Sequence, residues 1–253
     1  MSKNLWITGA GKGIGRATAL EYARCGWSVA VSARTETDLE SLIESAIQKG
    51  FSGRIVSYPA DVTDQDAMKR TFKAVEQDIG ALDQVILNAG THMPSSAKKI
   101  STDSYRALLE INVMGAVNGL SAVIPVFIDR KRGHVGVVAS VAGYSGLPLA
   151  GAYGASKAAL INMCESLRPE LEAEGVGLSV INPGFVRTPL TAKNKFPMPF
   201  LIDADVAARQ IYSGMIKGKF EIAFPRSFVI ILKILRMLPY GIYFPLIKKV
   251  TGV

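Results

Sequence analysis

Seven short runs rich in β-branched and apolar residues recur along the chain, and a longer segment of helical periodicity separates each from the next. They are LWIT from Leu5, SVAVSA from Ser28, RIVSYPA from Arg54, LDQVILNAG from Leu82, HVGVVAS from His134, GLSVINPG from Gly177 and FEIAFP from Phe220. Strands that alternate with helices need crossover connections, and runs apolar on both faces must be covered on both faces. The pattern therefore predicts an α/β, doubly wound fold: a seven-stranded parallel sheet flanked by helices. No repeat, low-complexity tract or dividing linker interrupts it, so residues 1–253 read as a single domain, with 227–253 as a C-terminal extension.

Helix-start signals agree with this register. Thr35 precedes Asp38, Asp64 follows the third strand, and Asp203 precedes Val206 to Ile211, each placed as an N-cap or first-turn acid. One irregular stretch, Arg187 to Pro199, reads as a loop beside the carboxyl ends of the strands.

Twenty-nine Lys and Arg against twenty-one Asp and Glu give a formal charge of +8. The excess lies mostly after Lys193, so the chain has a basic tail rather than a basic body, suited to an anionic partner. No recognition helix, RNA-binding aromatic strand or zinc pattern points to nucleic acid. Cys25 and Cys164, both within helical segments, read as reduced core thiols. His92 and His134 have no neighbours at metal-ligand spacing and read as ordinary polar positions, and no metal is expected. Leu5 to Thr8 already reads as a buried strand rather than a leader, and nowhere do eighteen apolar residues run together. The expectation is a cytoplasmic protein without a membrane span.

The first strand runs into TGAGKGIG, Thr8 to Gly15, and then into a helix beginning near Arg16. Glycines there permit a tight turn and let backbone N–H groups approach a pyrophosphate at the positive end of a helix. The spacing Gly9, Gly13, Gly15, with Ile14 in the same turn, departs from GxGxxG. Where an NAD site places an acid after its second strand, this chain has Ser32, Ala33 and Arg34. A guanidinium there clasps a 2′-phosphate, with Lys12 as a second cation, so NADP(H) is favoured over NAD(H). Asp61 and Val62 follow the third strand, and Asn88, Ala89 and Gly90 the fourth, at the sheet edge where ligands bind. Asp61 suits an adenine amino group or a turn cap; on its own the cap reading is the stronger.

Tyr153 and Lys157 lie four residues apart at the start of a helical run, so they share a face. A phenol near pKa 10 exchanges protons poorly at neutral pH, and an ammonium beside it lowers that value. Lys157 also has donors left for ribose hydroxyls. Ser140, at the end of the fifth strand, can hydrogen-bond the same substrate oxygen.

These motifs together resemble the short-chain dehydrogenase/reductase family, from about Leu5 to Pro225. Thr8, Gly9, Gly13 and Gly15 match its TGxxxGxG, Asn88 to Gly90 its NAG, Tyr153 and Lys157 its YxxxK, and Ser140 its serine. The resemblance implies a three-layer Rossmann-like fold and hydride transfer between a nicotinamide and a carbonyl, with Tyr153 moving the proton on oxygen. It implies that Asn112 holds a water in a proton relay behind Lys157. It also implies that Pro183, Gly184, Val186 and Thr188 contact the nicotinamide carboxamide.

The sequence departs from the family in continuing as FVIILKILRMLPYGIYFPLIKKV after Ser227, broken at Pro239 and Pro245 and read as one helix to about Leu238, a turn, and a short second segment. This tail reads either as a hydrophobic lid on the cleft or a partner subunit, or as an interfacial membrane helix. Both options imply a small lipophilic carbonyl or alcohol substrate, and Tyr144, Leu147, Leu149, Phe185, Leu190, Phe196 and Phe200 would line or border its entrance. The expected assembly is a homodimer through the long helices around Asn112 and Tyr153, with a tetramer as the variant, and peripheral membrane contact through the tail. The alternative function is a catalytically silent NADP(H)-binding redox sensor or membrane-surface scaffold.

Overall fold

The structure, a computed structural model, describes residues 3–193 and 197–252. Phe196 lies outside the described residues. All seven apolar runs contribute strands to one sheet: β1 (Asn4–Thr8), β2 (Ser28–Ser32), β3 (Ile55–Ser57), β4 (Gln84–Leu87), β5 (His134–Val138), β6 (Gly177–Pro183) and β9 (Glu221–Phe224). Every pairing is parallel, in the order β3-β2-β1-β4-β5-β6-β9. Two further strands, β7 (Val186–Arg187) and β8 (Ile202–Asp203), pair with each other. Two residues are too few to show a period, so this pair was not legible in the loop expected over Arg187 to Pro199.

Successive side chains of a strand point to opposite faces, and the core divides accordingly. Leu5 and Ile7 face α1 (Gly13–Arg24), α2 (Glu36–Gln48) and α7 (Ala204–Ile216), while Trp6 between them faces α3 (Gln65–Ile79) and α5 (Gly115–Arg130). α6 (Gly151–Ala173) completes the second layer through Leu160, Ile161 and Cys164. Cys164 is buried as expected; Cys25 is instead the half-buried residue ending α1, and both thiols are free.

The helix starts are decided by which partner each side chain finds. The Asp64 carboxylate accepts from Ala67 N at 2.8 Å and caps α3, as its spacing predicts. Thr35 makes no side-chain cap, and the Asp203 carboxylate instead accepts from Arg187 Nε at 2.9 Å, closing the β7–β8 loop.

Residues 102–130 form one long helix made of α4 (Thr102–Leu109), a π-helical turn (Glu110–Met114) and α5. By length and composition alone it could cross a bilayer, because polar residues scattered through it leave one 18-residue stretch with a mean hydropathy of 1.8. Its polar side chains show what it is. Asn118 donates to Val62 O and Asn112 binds Thr91 and Ser156, all inside the fold, so this is a core helix.

The tail forms two helices, α8 (Arg226–Met237) and α9 (Tyr240–Thr251). The break expected at Pro245 does not occur. Its missing N–H removes one i→i−4 bond, as at Pro125 in α5 and Pro169 in α6, and with Tyr243 and Ile247 packed on either side of it the helix continues to Thr251.

Candidate active site

The chain leaves β1 and β4 toward opposite faces of the sheet, and the carboxyl ends of these adjacent strands border a cleft of about 580 Å³. Thr8 ties them together: its Oγ1 accepts from Asn88 N at 3.1 Å and Ala89 N at 3.3 Å. Asn88 Nδ2 in turn donates to Thr8 O and Gly9 O, pinning the glycine turn. Two glycines make this possible. A Cβ on Gly9, whose φ is +65°, would lie 2.6 Å from Ala89 Cα, and one on Gly15 would lie 2.4 Å from Asn88 Nδ2. The sequence predicts these glycines for contact with a phosphate; the structure shows that Gly9 and Gly15 are also needed for protein to pass protein.

The cleft is lined by Gly9, Lys12, Gly13, Ile14, Arg34, Asp61, Val62, Asn88, Gly90, Ser140, Tyr153, Lys157, Pro183, Gly184, Val186 and Thr188. Two predicted residues do not line it. Gly15 lies beneath Asn88, and Asn112 is buried behind Gly90. The π turn carries Asn112 inward, where its Oδ1 accepts from Thr91 N at 2.7 Å and its Nδ2 donates to Thr91 O and to Ser156 Oγ, each at 3.0 Å. Asn112 thus fixes both the strand end at Gly90–Thr91 and the start of α6. Thr91 and Ser156 escaped the sequence reading, although each adjoins a motif that it used.

At the reacting end, Ser140 Oγ donates to Pro183 O at 3.3 Å and accepts from Ala142 N at 3.1 Å. Lys157 is 4% exposed, and its Nζ donates to Val138 O at 2.8 Å. No carboxylate pairs with it among the described residues, and burial pulls its pKa down to about 8. Tyr153 departs from expectation: its pKa is raised, not lowered. Burial of the phenol dominates, Ser140 opposes it only in part, and the Lys157 ammonium is turned toward Val138, 5.7 Å from the tyrosine ring centre. His92, read from sequence as an ordinary polar position, packs edge-on against the Tyr153 ring with centres 4.8 Å apart, and burial lowers its pKa too.

The residues present fit a dinucleotide. No side chain caps the N-terminus of α1, which opens at the cleft, and Lys157 carries two N–H donors beyond the one given to Val138. At the far end, Arg34 is exposed and makes no ion pair among the described residues. The expected second cation is already engaged, since Lys12 Nζ lies 3.1 Å from Asp38 Oδ2, an acid the sequence reading did not assign to the cleft. Asp61 follows the cap reading, accepting from Thr63 N and Oγ1, which holds its carboxyl below the usual range. Thr191 organises the nicotinamide-side loop by donating to Val186 O at 2.6 Å and accepting from Thr188 N at 3.0 Å.

The apolar residues expected at the entrance divide. Leu190 lines the cleft, and Leu149 is exposed but does not line it. Tyr144 is instead buried, donating to Glu221 Oε1 at 2.6 Å, and Leu147 packs under the tail. Phe185 and Phe200 stack on Phe228 of α8. No residue of α8 or α9 lines the cleft itself, so the tail is a buttress at its side rather than a cover over it.

The short chain dehydrogenase family model matches residues 3–197. An uncharacterized oxidoreductase of Myxococcus xanthus is 38% identical over 237 residues, 94% of this chain and 93% of its own. A short chain dehydrogenase/reductase from Burkholderia phymatum, solved in complex with NAD, superimposes with a TM-score of 0.83 at 23% identity, covering 92% of each chain. ElxO with NADP bound superimposes with a TM-score of 0.78 at 23% identity, covering 88% of this chain and 98% of that one. With the glycine turn, the serine, the tyrosine and the lysine all at one cleft, the chain belongs to the short chain dehydrogenase family, oxidoreductases that exchange hydride with NAD(H) or NADP(H).

Proposed function

We propose that this protein is an NADPH-dependent reductase of lipophilic carbonyl compounds. The observation that carries this reading is the convergence of Ser140, Tyr153 and Lys157 on the cleft that the glycine turn also lines, which sets a phenol proton donor beside a hydroxyl and an ammonium. When bound, the reduced coenzyme supplies hydride to the carbonyl carbon. Tyr153 Oη donates its proton to the carbonyl oxygen, and Ser140 Oγ steadies the charge developing there. Lys157 would hold the ribose hydroxyls of the coenzyme with the two donors it does not give to Val138 O. Asn112, by bracing Thr91 and Ser156, keeps the helix carrying Tyr153 and Lys157 in register with the strand end at Gly90.

Preference for NADPH rests on Arg34. A guanidinium at the end of β2 offers two parallel donors to a 2′-phosphate. The Lys12–Asp38 pair does not stand in the way. With the lysine side chain 64% exposed it is worth about 0–1 kcal/mol, less than a phosphate contact, so Lys12 can turn to the phosphate. Exposed Leu149 and Phe200, with Leu190 in the cleft, support a greasy substrate. The test is coenzyme oxidation against medium- and long-chain ketones, aldehydes, steroids and 3-oxo lipids. Turnover with NADPH should exceed that with NADH, and Arg34→Ala should raise the NADPH KM about tenfold to a hundredfold while leaving that for NADH nearly unchanged. Equal use of both coenzymes by the unaltered protein would refute the preference.

A further inference from the structure

We propose that α8 and α9 together form a docking surface for an anionic lipid bilayer. Each helix is held to the body by a narrow face. In α8, Val229 and Leu232 are buried and Lys233 pairs with Glu221, which also binds Tyr144 and Asn182. In α9, Tyr243 and Ile247, one turn apart, are buried, and Tyr243 Oη donates to Gly146 O at 2.6 Å. These contacts fix the helices, so whatever they turn outward is a permanent surface.

What they turn outward is apolar. Ile230, Ile231, Ile234 and Met237 recur at i, i+1, i+4 and i+7 on α8, turned away from Leu232, and are 44% to 75% exposed. On α9, Ile242, Phe244 and Val250 are 56% to 74% exposed, and Tyr240 stacks on Phe244 at the turn between the helices. A helix apolar on its buried and its outer face alike has a second apolar environment to enter.

Charge identifies that environment. From Arg226 to Val253 the sequence contains five Lys and Arg and no Asp or Glu. Lys233 is paired, while Arg226, Arg236, Lys248 and Lys249 are exposed and make no ion pair among the described residues. A second copy docking by the same face would set these cations against their own images with no acid of the tail to offset them. An anionic bilayer satisfies both halves of the surface, taking the isoleucines and aromatics at the acyl boundary and the cations at the headgroups. The inner faces of the helices rest on Val141, Tyr144 and Leu147, just past Ser140. The inference stands on the tail alone and does not depend on the reaction proposed above.

The test is sedimentation of the full chain with vesicles of phosphatidylcholine, with and without about one third phosphatidylglycerol, alongside light scattering of the protein alone. The protein should pellet with the phosphatidylglycerol vesicles and be released by high salt. Each cation near such a surface strengthens binding about fivefold, so Lys248→Glu with Lys249→Glu should weaken it at least about twentyfold. Ile234→Gln with Ile242→Gln should weaken it similarly at unchanged unfolding midpoint, since both side chains are already exposed. Failure to pellet with the anionic vesicles, or equal binding to phosphatidylcholine alone, would overturn the proposal. So would a dimer that the Ile234→Gln pair dissociates.

Discussion

Lys157 shows how the site is held against the preferences of its own side chains. An ammonium 4% exposed, with one carbonyl contact and no carboxylate, destabilises the fold, and its pKa of about 8 against about 10.5 in the unfolded chain measures by how much. Because the folded value is the lower one, the unfolded state binds more protons between those values, so this part of stability rises with pH through that window. Below pH 8 the penalty is up to about 3 kcal/mol, from the shift converted at 1.36 kcal/mol per unit. Lys157→Met, close to it in volume, should therefore raise the free energy of unfolding at pH 7 in urea titration while turnover falls at least about a hundredfold. A variant that lost both would mark Lys157 as structural. At the same scale, the Tyr153–Lys157 face was legible from a four-residue spacing, but the raised Tyr153 pKa was not. It depends on how deeply the phenol is buried and on where the Lys157 ammonium points, and neither leaves a periodic trace. His92 against the Tyr153 ring was hidden for the same reason, being 61 positions away in the chain.

Elements differ in how far their residues announce them. Asp64 caps α3 through Ala67 N, and Asp64→Ala should cost about 1 kcal/mol in thermal or urea unfolding without altering coenzyme binding. Asp203→Ala, by contrast, should leave α7 intact and loosen the β7–β8 loop, since its carboxylate serves Arg187. Sequence offered both as helix-start acids, and only the tertiary partner separates them. The seven strands of the sheet were readable because β-branched runs apolar on both faces have few other uses. The π turn at Asn112 was not, because a one-residue widening of a helix barely changes the spacing of its apolar residues. Pro245 misled for a related reason: a proline signals a break by residue type, but α5, α6 and α9 all run through one, because packing of the neighbouring turns offsets the single lost hydrogen bond.

The whole molecule separates chemistry from its supports along the strand direction. The carboxyl edge carries the glycine turn, Ser140, Tyr153 and Lys157, while the opposite edge carries His134, whose Nε2 donates to Ser179 Oγ at 2.7 Å. Burial, with Arg168 nearby, pulls the His134 pKa down to about 4. The unfolded chain takes up that proton near pH 6.5 and the folded chain does not, so stability is whole above that value and falls as pH drops toward 4. The loss amounts to up to about 3 kcal/mol at pH 4, and His134→Gln should flatten the unfolding midpoint between pH 6.5 and 4. A parallel slope in the variant would assign the acid sensitivity elsewhere. The charge asymmetry noticed in the sequence belongs to this scale as well: the basic excess gathers on α8 and α9, at the flank of the carboxyl edge.

The central claim is that Tyr153 delivers the proton in an NADPH-dependent reduction, and single-turnover oxidation of NADPH with a medium-chain ketone tests it most directly, using the unaltered protein and Tyr153→Phe. The variant's rate should be about 10² to 10⁴ lower, with NADPH affinity, read by coenzyme fluorescence, within about threefold. Turnover by Tyr153→Phe at the rate of the unaltered protein would contradict it.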